Sequence, residues 1–278
     1  MKRSYILEEE GFSFGPILVR LAKSKAEIEA AQKLRYDVFY TEYGAKPENG
    51  MEALGLDFDR FDPLADHLIV IDTRIDMLPH RVVGTYRLIR QEVAEKNGGF
   101  YTKNEFDISP LLSACDNILE LGRSCVHKDY RMRPVMQLLW QAIAEYIAHH
   151  NIELLFGCAS FHGTDIQSVS EGLSYLYHKH LAPEDLCPQA LPALYRPMNL
   201  KREGDYDPKR AFAALPALIK GYLRLGGFIG DGAVIDEQFN TIDVCVIVKT
   251  GLVSDRYRKH YERKTQRPIV DDASCILN

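Results

Sequence analysis

The segment Ile118-Leu119-Glu120-Leu121-Gly122-Arg123-Ser124-Cys125-Val126 sets two opposite charges into an apolar strand, and what surrounds it decides the fold. In an ideal strand the side chains alternate, so Glu120 and Arg123 would leave on opposite faces. A bulge at Gly122, where a missing Cβ makes a kinked backbone least costly, would bring them to one face. Lys128, Arg131 and Arg133 then crowd a turn, and Pro134 suits the first position of a helix. Val135, Leu139, Ala142, Ile143, Tyr146 and Ile147 repeat at helical spacing. Asn151 closes that helix, and residues 152–156 form a short apolar run of the kind found in buried parallel strands. The order is strand, basic turn, helix, strand, an α/β arrangement.

The whole chain has 278 residues, 46% of them hydrophobic and 26% charged, enough to bury a large core. A net charge of -5 speaks against general nucleic-acid affinity. The six cysteines form no CxxC pair, and Cys125, Cys158 and Cys245 fall within apolar runs, so no metal site is expected and the thiols read as small buried hydrophobes in a reducing compartment. No apolar run approaches the roughly 20 residues needed to cross a bilayer, and the Met-Lys-Arg start leads into Glu8-Glu9-Glu10, so a cytoplasmic protein is expected. A basic tail (Arg256, Arg258, Lys259, Arg263, Lys264) would allow peripheral contact with an anionic inner membrane.

Upstream of the central strand, residues 1–16 read as an irregular arm and residues 17–21 as a strand. Ser24 and Glu27 form a capping box for a helix whose stripe is Ile28, Ala31, Leu34 and Val38. Arg35 lies beside that stripe, where an arginine usually snorkels from the helix edge. Asp57, Asp59 and Asp62 stand close together in a loop, without the spacing of a calcium loop. Residues 68–72 and 82–89 predict two antiparallel strands. Arg87 lies inside the second and requires a partner, because an unpaired buried charge costs several kcal/mol.

Downstream, Ser160, His162 and Asp165 do not make a catalytic triad, since all three belong to one segment. Thr164 or Asp165 is expected to cap a helix over residues 166–180. Residues 182–212 have no assigned shape, residues 215–225 predict a helix, and residues 228–235 with 242–248 predict a closing hairpin. One domain is expected over residues 1–278, with its core at about residues 17–250.

This order of elements resembles the GNAT acyltransferase fold, a central mixed sheet splayed at the Glu120 strand with helices on both faces. Leu34-Arg35-Tyr36-Asp37-Val38-Phe39, the three aspartates, Arg87 and Glu120-Leu121-Gly122-Arg123 resemble the charged set of the acyl-homoserine-lactone synthases. The phrases Glu120-Leu121-Gly122-Arg123-Ser124-Cys125-Val126 and Phe156-Gly157-Cys158-Ala159-Ser160-Phe161 are more similar to the bacterial ornithine N-acyltransferases. That resemblance implies transfer of a 3-hydroxyacyl chain from acyl carrier protein to the α-amine of ornithine, giving a lyso-ornithine lipid as the first step of ornithine lipid synthesis. No cofactor beyond the carrier-bound donor is implied. Pro134 and Met136 stand where a coenzyme A-binding turn would have small residues with free N–H groups, which disfavours coenzyme A as donor.

Within that resemblance Glu120 and Arg123 are the expected catalytic residues, Glu120 as the general base and Arg123, with Arg87, keeping the site's charges paired. Arg35, Arg87, Asp57, Asp59 and Asp62 are the expected substrate-binding residues, a guanidinium for the acceptor's carboxylate and carboxylates for its side-chain ammonium. Cys125, Val126, Lys128, Arg131 and Arg133 would meet the carrier protein or its phosphopantetheine arm. The alternatives are an autoinducer synthase using S-adenosylmethionine, an N-acyltransferase for glutamine, lysine or glycine, and a non-catalytic module that binds acyl carrier protein or a membrane surface.

Overall fold

The computed structural model describes residues 5–252 apart from residues 49 and 132, with the side chains of Arg133, Pro134 and Leu252 also outside the description. The basic tail of the sequence, Arg256, Arg258, Lys259, Arg263 and Lys264, lies outside the described residues. In chain order the strands are β1 (Phe12–Phe14), β2 (Ile17–Leu21), β3 (Asp66–Asp72), β4 (Val82–Arg90), β5 (Phe106–Asp107), β6 (Ile118–Val126), β7 (Leu154–His162), β8 (Gln189–Ala190), β9 (Phe228–Ile229), β10 (Val234–Asp236) and β11 (Thr241–Lys249). The helices are α1 (Ile6–Glu9), α2 (Lys25–Tyr36), α3 (Met51–Leu54), α4 (Gln91–Lys96), α5 (Ser109–Ala114), α6 (Arg133–His150), α7 (Ser170–His180), α8 (Pro208–Ala214) and α9 (Ala217–Arg224). Contacts divide the chain into two units.

The first unit comprises residues 1–99, 120–150 and 237–240. Its strands β1 to β4 pair antiparallel in sequence order, with a register shift between Val70 and Ile71, and β6 follows β4. The Ser24 side chain accepts from the Glu27 N–H and starts α2, while the Glu27 carboxylate reaches back to the Lys23 N–H at 2.8 Å. Ala30, Ala31, Leu34 and Val38 then pack with Ile69, Ile71, Val82 and Cys125. Burial of each large side chain here contributes roughly 1.5–3 kcal/mol. Ile28, expected in this stripe, is only half-buried. The long helix α6 packs against β1, β2 and β3, and Asn151 ends it in the left-handed conformation at φ 53°.

Two expectations for this unit change. The arm before Pro16 is structured: α1 leads into β1, which pairs with β2, and the Tyr5 ring stacks on His149 with centroids 3.6 Å apart. The irregularity in β6 falls at Arg123, whose φ is 50°, and not at Gly122. A non-glycine residue is held there by its side-chain partners, described below, which outweigh the left-handed penalty of roughly 1–2 kcal/mol.

The second unit comprises residues 100–119, 151–236 and 241–278. Here β7, β11 and β10 form an antiparallel sheet, and β9 pairs with the other end of β11. The expected hairpin is β10 with β11, while residues 230–233 break the run before it. Residues 157–162 continue β7 because each of them has a partner on β11. The following helix accordingly starts at Ser170, and Asp165 accepts from the Gln167 N–H in a turn ahead of it without capping it. In the unassigned stretch, Asp207 caps α8 through the Lys209 and Arg210 N–H groups with Pro208 in its first turn.

Candidate active site

Six of the residues singled out by sequence meet in one buried network of the first unit. Arg35 comes from α2 and is fully buried, not snorkelling. Its Nη1 donates to Asp62 Oδ1 at 2.7 Å and its Nη2 to the Asp57 carbonyl at 2.6 Å, while its Nε lies 2.6 Å from Asp57 Oδ2. Arg87 from β4 donates to Asp59 Oδ1 at 2.6 Å. Arg123 from β6 donates to Asp59 Oδ2 at 3.1 Å, lies 3.3 Å from Asp57 Oδ2, and stacks over Phe239 at 4.5 Å. Three guanidiniums thus face three carboxylates. Local chain geometry prepares this loop: Asp62 accepts from the Asp59 N–H and Asp59 from the Phe61 N–H, both at 2.8 Å.

The electrostatics follow from that pairing. Burial alone would raise the Asp62 carboxyl, but the Arg35 guanidinium outweighs it and brings its pKa down to about 2. Asp59 is likewise held low against burial by Arg87 and Arg123. Arg35 is held up against burial by Asp57 and Asp62, whereas burial and the neighbouring Arg123 push Arg87 down. Tyr40, on the π-helical turn Asp37–Glu42 that continues α2, donates to Asp57 at 3.0 Å, and burial pushes its phenol up. His67 is pushed down by burial and is neutral; its Nε2 donates to the Asp62 carbonyl at 2.8 Å. Tyr40, His67 and Phe239 were not singled out by sequence.

The remaining candidates have different surroundings. Glu120, three residues before Arg123 on β6, is 2% exposed. Cys125 points into the α2 core, and burial pushes its thiol up to about 12, so it is an inert packing residue. Val126 is buried, and its carbonyl accepts from Arg131 Nε at 3.0 Å. Arg131 also makes a two-pronged contact with Glu42, both bonds at 2.6 Å, and lies over the Tyr43 ring. That guanidinium ties the turn to the end of the π-helical segment instead of standing free. Lys128 is exposed. The Arg133 side chain lies outside the described residues.

In the second unit the carboxylate oxygens of Glu105, Asp236 and Asp243 all lie within 4.8 Å of one another. Sequence reading passed over all three. The signal was the alternation Thr241-Ile242-Asp243-Val244-Cys245-Val246, polar at every second position of an otherwise apolar strand.

Residues 34–141 match the family described as acetyltransferase (GNAT) domain. The chain is 46% identical over 254 residues to an L-ornithine N(alpha)-acyltransferase of Rhodobacter capsulatus, a match covering 89% of this chain and 95% of that protein. It is 46% identical over 256 residues to a second protein of that name from Brucella abortus, covering 91% of each. Among solved structures, an N-acyl amino acid synthase from uncultured soil microbes shares 10% identity at a TM-score of 0.48, over 84% of this chain and 90% of that one.

Proposed function

The chain belongs to the L-ornithine N(alpha)-acyltransferase family, and from that premise we propose that it transfers a 3-hydroxyacyl chain from acyl carrier protein to the α-amine of L-ornithine. The observation that carries this is the identity of 46% spread over 89% of the chain. It agrees with a site in which a buried carboxylate, Glu120, shares its strand with an arginine locked to two aspartates.

In the proposed reaction the free α-amine attacks the thioester carbonyl. The C–N bond forms, the C–S bond breaks, and the carrier's thiol leaves with a proton. Glu120 takes the proton from the amine, directly or through one water, an assistance worth roughly 10² to 10⁴ in rate. Backbone N–H groups near Cys125 and Val126 polarise the carbonyl. Arg123 and Asp59 are the network members with exposed edges, at 11% and 20% of their side chains, so the acceptor's carboxylate and ammonium would meet the network there. Arg35, Asp57, Asp62 and Arg87 are buried and paired within the network, and act as positioning residues behind them.

Lys128, exposed on the basic turn, is the proposed contact for an acidic carrier protein, and Arg131 shares its charge with Glu42. The chain is proposed to act as one catalytic domain. No helix among the described residues is long and apolar enough to cross a membrane; peripheral contact with an anionic membrane is proposed from the charge of residues 256–264 in the sequence.

The test is a mass-spectrometric assay of purified protein with 3-hydroxyacyl carrier protein, a panel of amino acids and S-adenosylmethionine. N-α-acyl-ornithine as main product is the expected result. A lactone formed from S-adenosylmethionine, or no product with any acceptor, would overturn it.

A further inference from the structure

The loop that carries Asp57, Asp59 and Asp62 is held at both ends by its backbone. Arg35 of α2 donates from Nη2 to the Asp57 carbonyl at 2.6 Å, and His67 of β3 donates from Nε2 to the Asp62 carbonyl at 2.8 Å. Both donors are buried, Arg35 fully and His67 to 2% exposure. Between these two clamps the loop closes on itself. The Asp62 N–H donates to the Asp59 carbonyl at 3.2 Å, and the Asp59 N–H to Asp62 Oδ2 at 2.8 Å. Asp59, the aspartate with an exposed edge, stands on that closed turn.

Strand β3 gives His67 a rigid seat, because it is paired with β2 on one side and β4 on the other. Side chains alternate along a strand. Ile69 and Ile71 pack into the α2 core, so His67 projects to the α2 side as well. Asp66 projects the other way and accepts from the Tyr146 hydroxyl of α6 at 2.6 Å. The register sets His67 directly opposite Arg87.

A carbonyl only accepts, so the ring proton resides on Nε2. Nδ1 is buried and has no hydrogen-bond partner among the described residues. The charged groups facing the ring are Arg35 from α2, Arg87 from β4 and Asp62 from the loop. Burial together with the two arginines outweighs Asp62 and holds the imidazole below the ordinary histidine range. A donor without charge thus fixes the loop beside a network that already contains three guanidiniums.

We propose that His67, through its Nε2–H, is a positioning residue that fixes Asp59 where the acceptor's ammonium meets it. This rests on the reading of ornithine as the acceptor. Arg35 reaches aspartate side chains as well as the Asp57 carbonyl, so its loss would also unbalance charge; His67 acts on the place of the backbone. A misplacement of about 1 Å can cost about 10²-fold in rate.

Steady-state kinetics of His67→Phe and His67→Gln, each checked for folding by thermal melts, tests the assignment. Phenylalanine keeps a ring and removes the donor, whereas glutamine returns an N–H at the reach of Nε2. In His67→Phe the ornithine KM should rise by about tenfold, the size expected when a charge-assisted hydrogen bond is lost. The KM for acyl carrier protein should stay the same, and His67→Gln should recover most of the loss. A merely structural role would lower the melting temperature without this split. An unchanged ornithine KM in His67→Phe, or a glutamine variant as impaired as the phenylalanine one, would overturn the assignment. If His67→Phe does not fold, the pH profile of wild type against His67→Gln decides. Below the ordinary histidine pKa of about 6.5, the wild-type ornithine KM should climb more steeply, because only the imidazole takes up a second proton; coincident profiles would overturn the assignment. If the wild-type enzyme acylates a different amino acid, the ornithine reading fails and the same series on that amino acid still decides the role of His67. A KM raised in His67→Phe and recovered in His67→Gln supports it, and an unchanged KM overturns it.

Discussion

The arginine–aspartate network of the first unit and the carboxylate trio of the second are both buried, yet they differ in how charge is balanced. In the network Arg35, Arg87 and Arg123 face Asp57, Asp59 and Asp62, so each removed charge would strand an opposite one inside the protein. In the trio the carboxylates of Glu105, Asp236 and Asp243 bring their oxygens within 4.8 Å of one another. A balanced network holds architecture and aims the one or two members at its edge.

The largest expected effect separates the two directly. Arg35→Met leaves Asp57 and Asp62 buried beside a thioether, and should cost about 3–5 kcal/mol of stability. Asp243→Asn should cost far less. Urea unfolding of the two variants measures this, and equal losses would erase the distinction.

A second effect lies in pH. The Asp62 carboxyl has its folded pKa depressed to about 2 by Arg35, against about 3.9 in an unfolded chain. A depressed carboxyl stabilises the fold fully above its unfolded pKa and loses that contribution as pH falls through the folded one. Stability on the order of 2 kcal/mol should therefore disappear between about pH 4 and pH 2. Asp62→Asn should show a shallower acid limb in the same range, and an identical limb would place the titration elsewhere.

The smallest effect concerns Arg131 and Glu42, whose side chains are 36% and 33% exposed. Arg131→Met should lower stability by only about 0.2–1 kcal/mol, because water screens an exposed pair. A loss as large as that of Arg35→Met in the same urea series would mean that the clamp, and not the buried network, holds the unit together.

What was legible in the chain depended on whether the interaction was local. The cap at Ser24, the stripe Ala31, Leu34 and Val38, and the left-handed stop at Asn151 are decided within a few residues, and spacing revealed them. Arg35 read as an edge arginine because its partners lie 22 and 27 residues further on, and no period links a helix to a later loop. Glycine's freedom favours a kink in β6 at Gly122, whereas the Asp59 and Phe239 contacts of Arg123 impose it one residue later. Likewise β7 runs through His162 because β11, far along the chain, pairs with it residue by residue. The trio escaped notice for the same reason: its members come from positions 105, 236 and 243, and only strand register joins them.

The most direct test of the proposed chemistry is steady-state kinetics of Glu120→Gln with 3-hydroxyacyl carrier protein and ornithine, on protein whose melting shows it folded. A general base predicts kcat lower by about 10² to 10⁴ with the ornithine KM nearly unchanged. A variant that keeps its kcat, or one that loses only affinity for ornithine, would contradict the role given to Glu120.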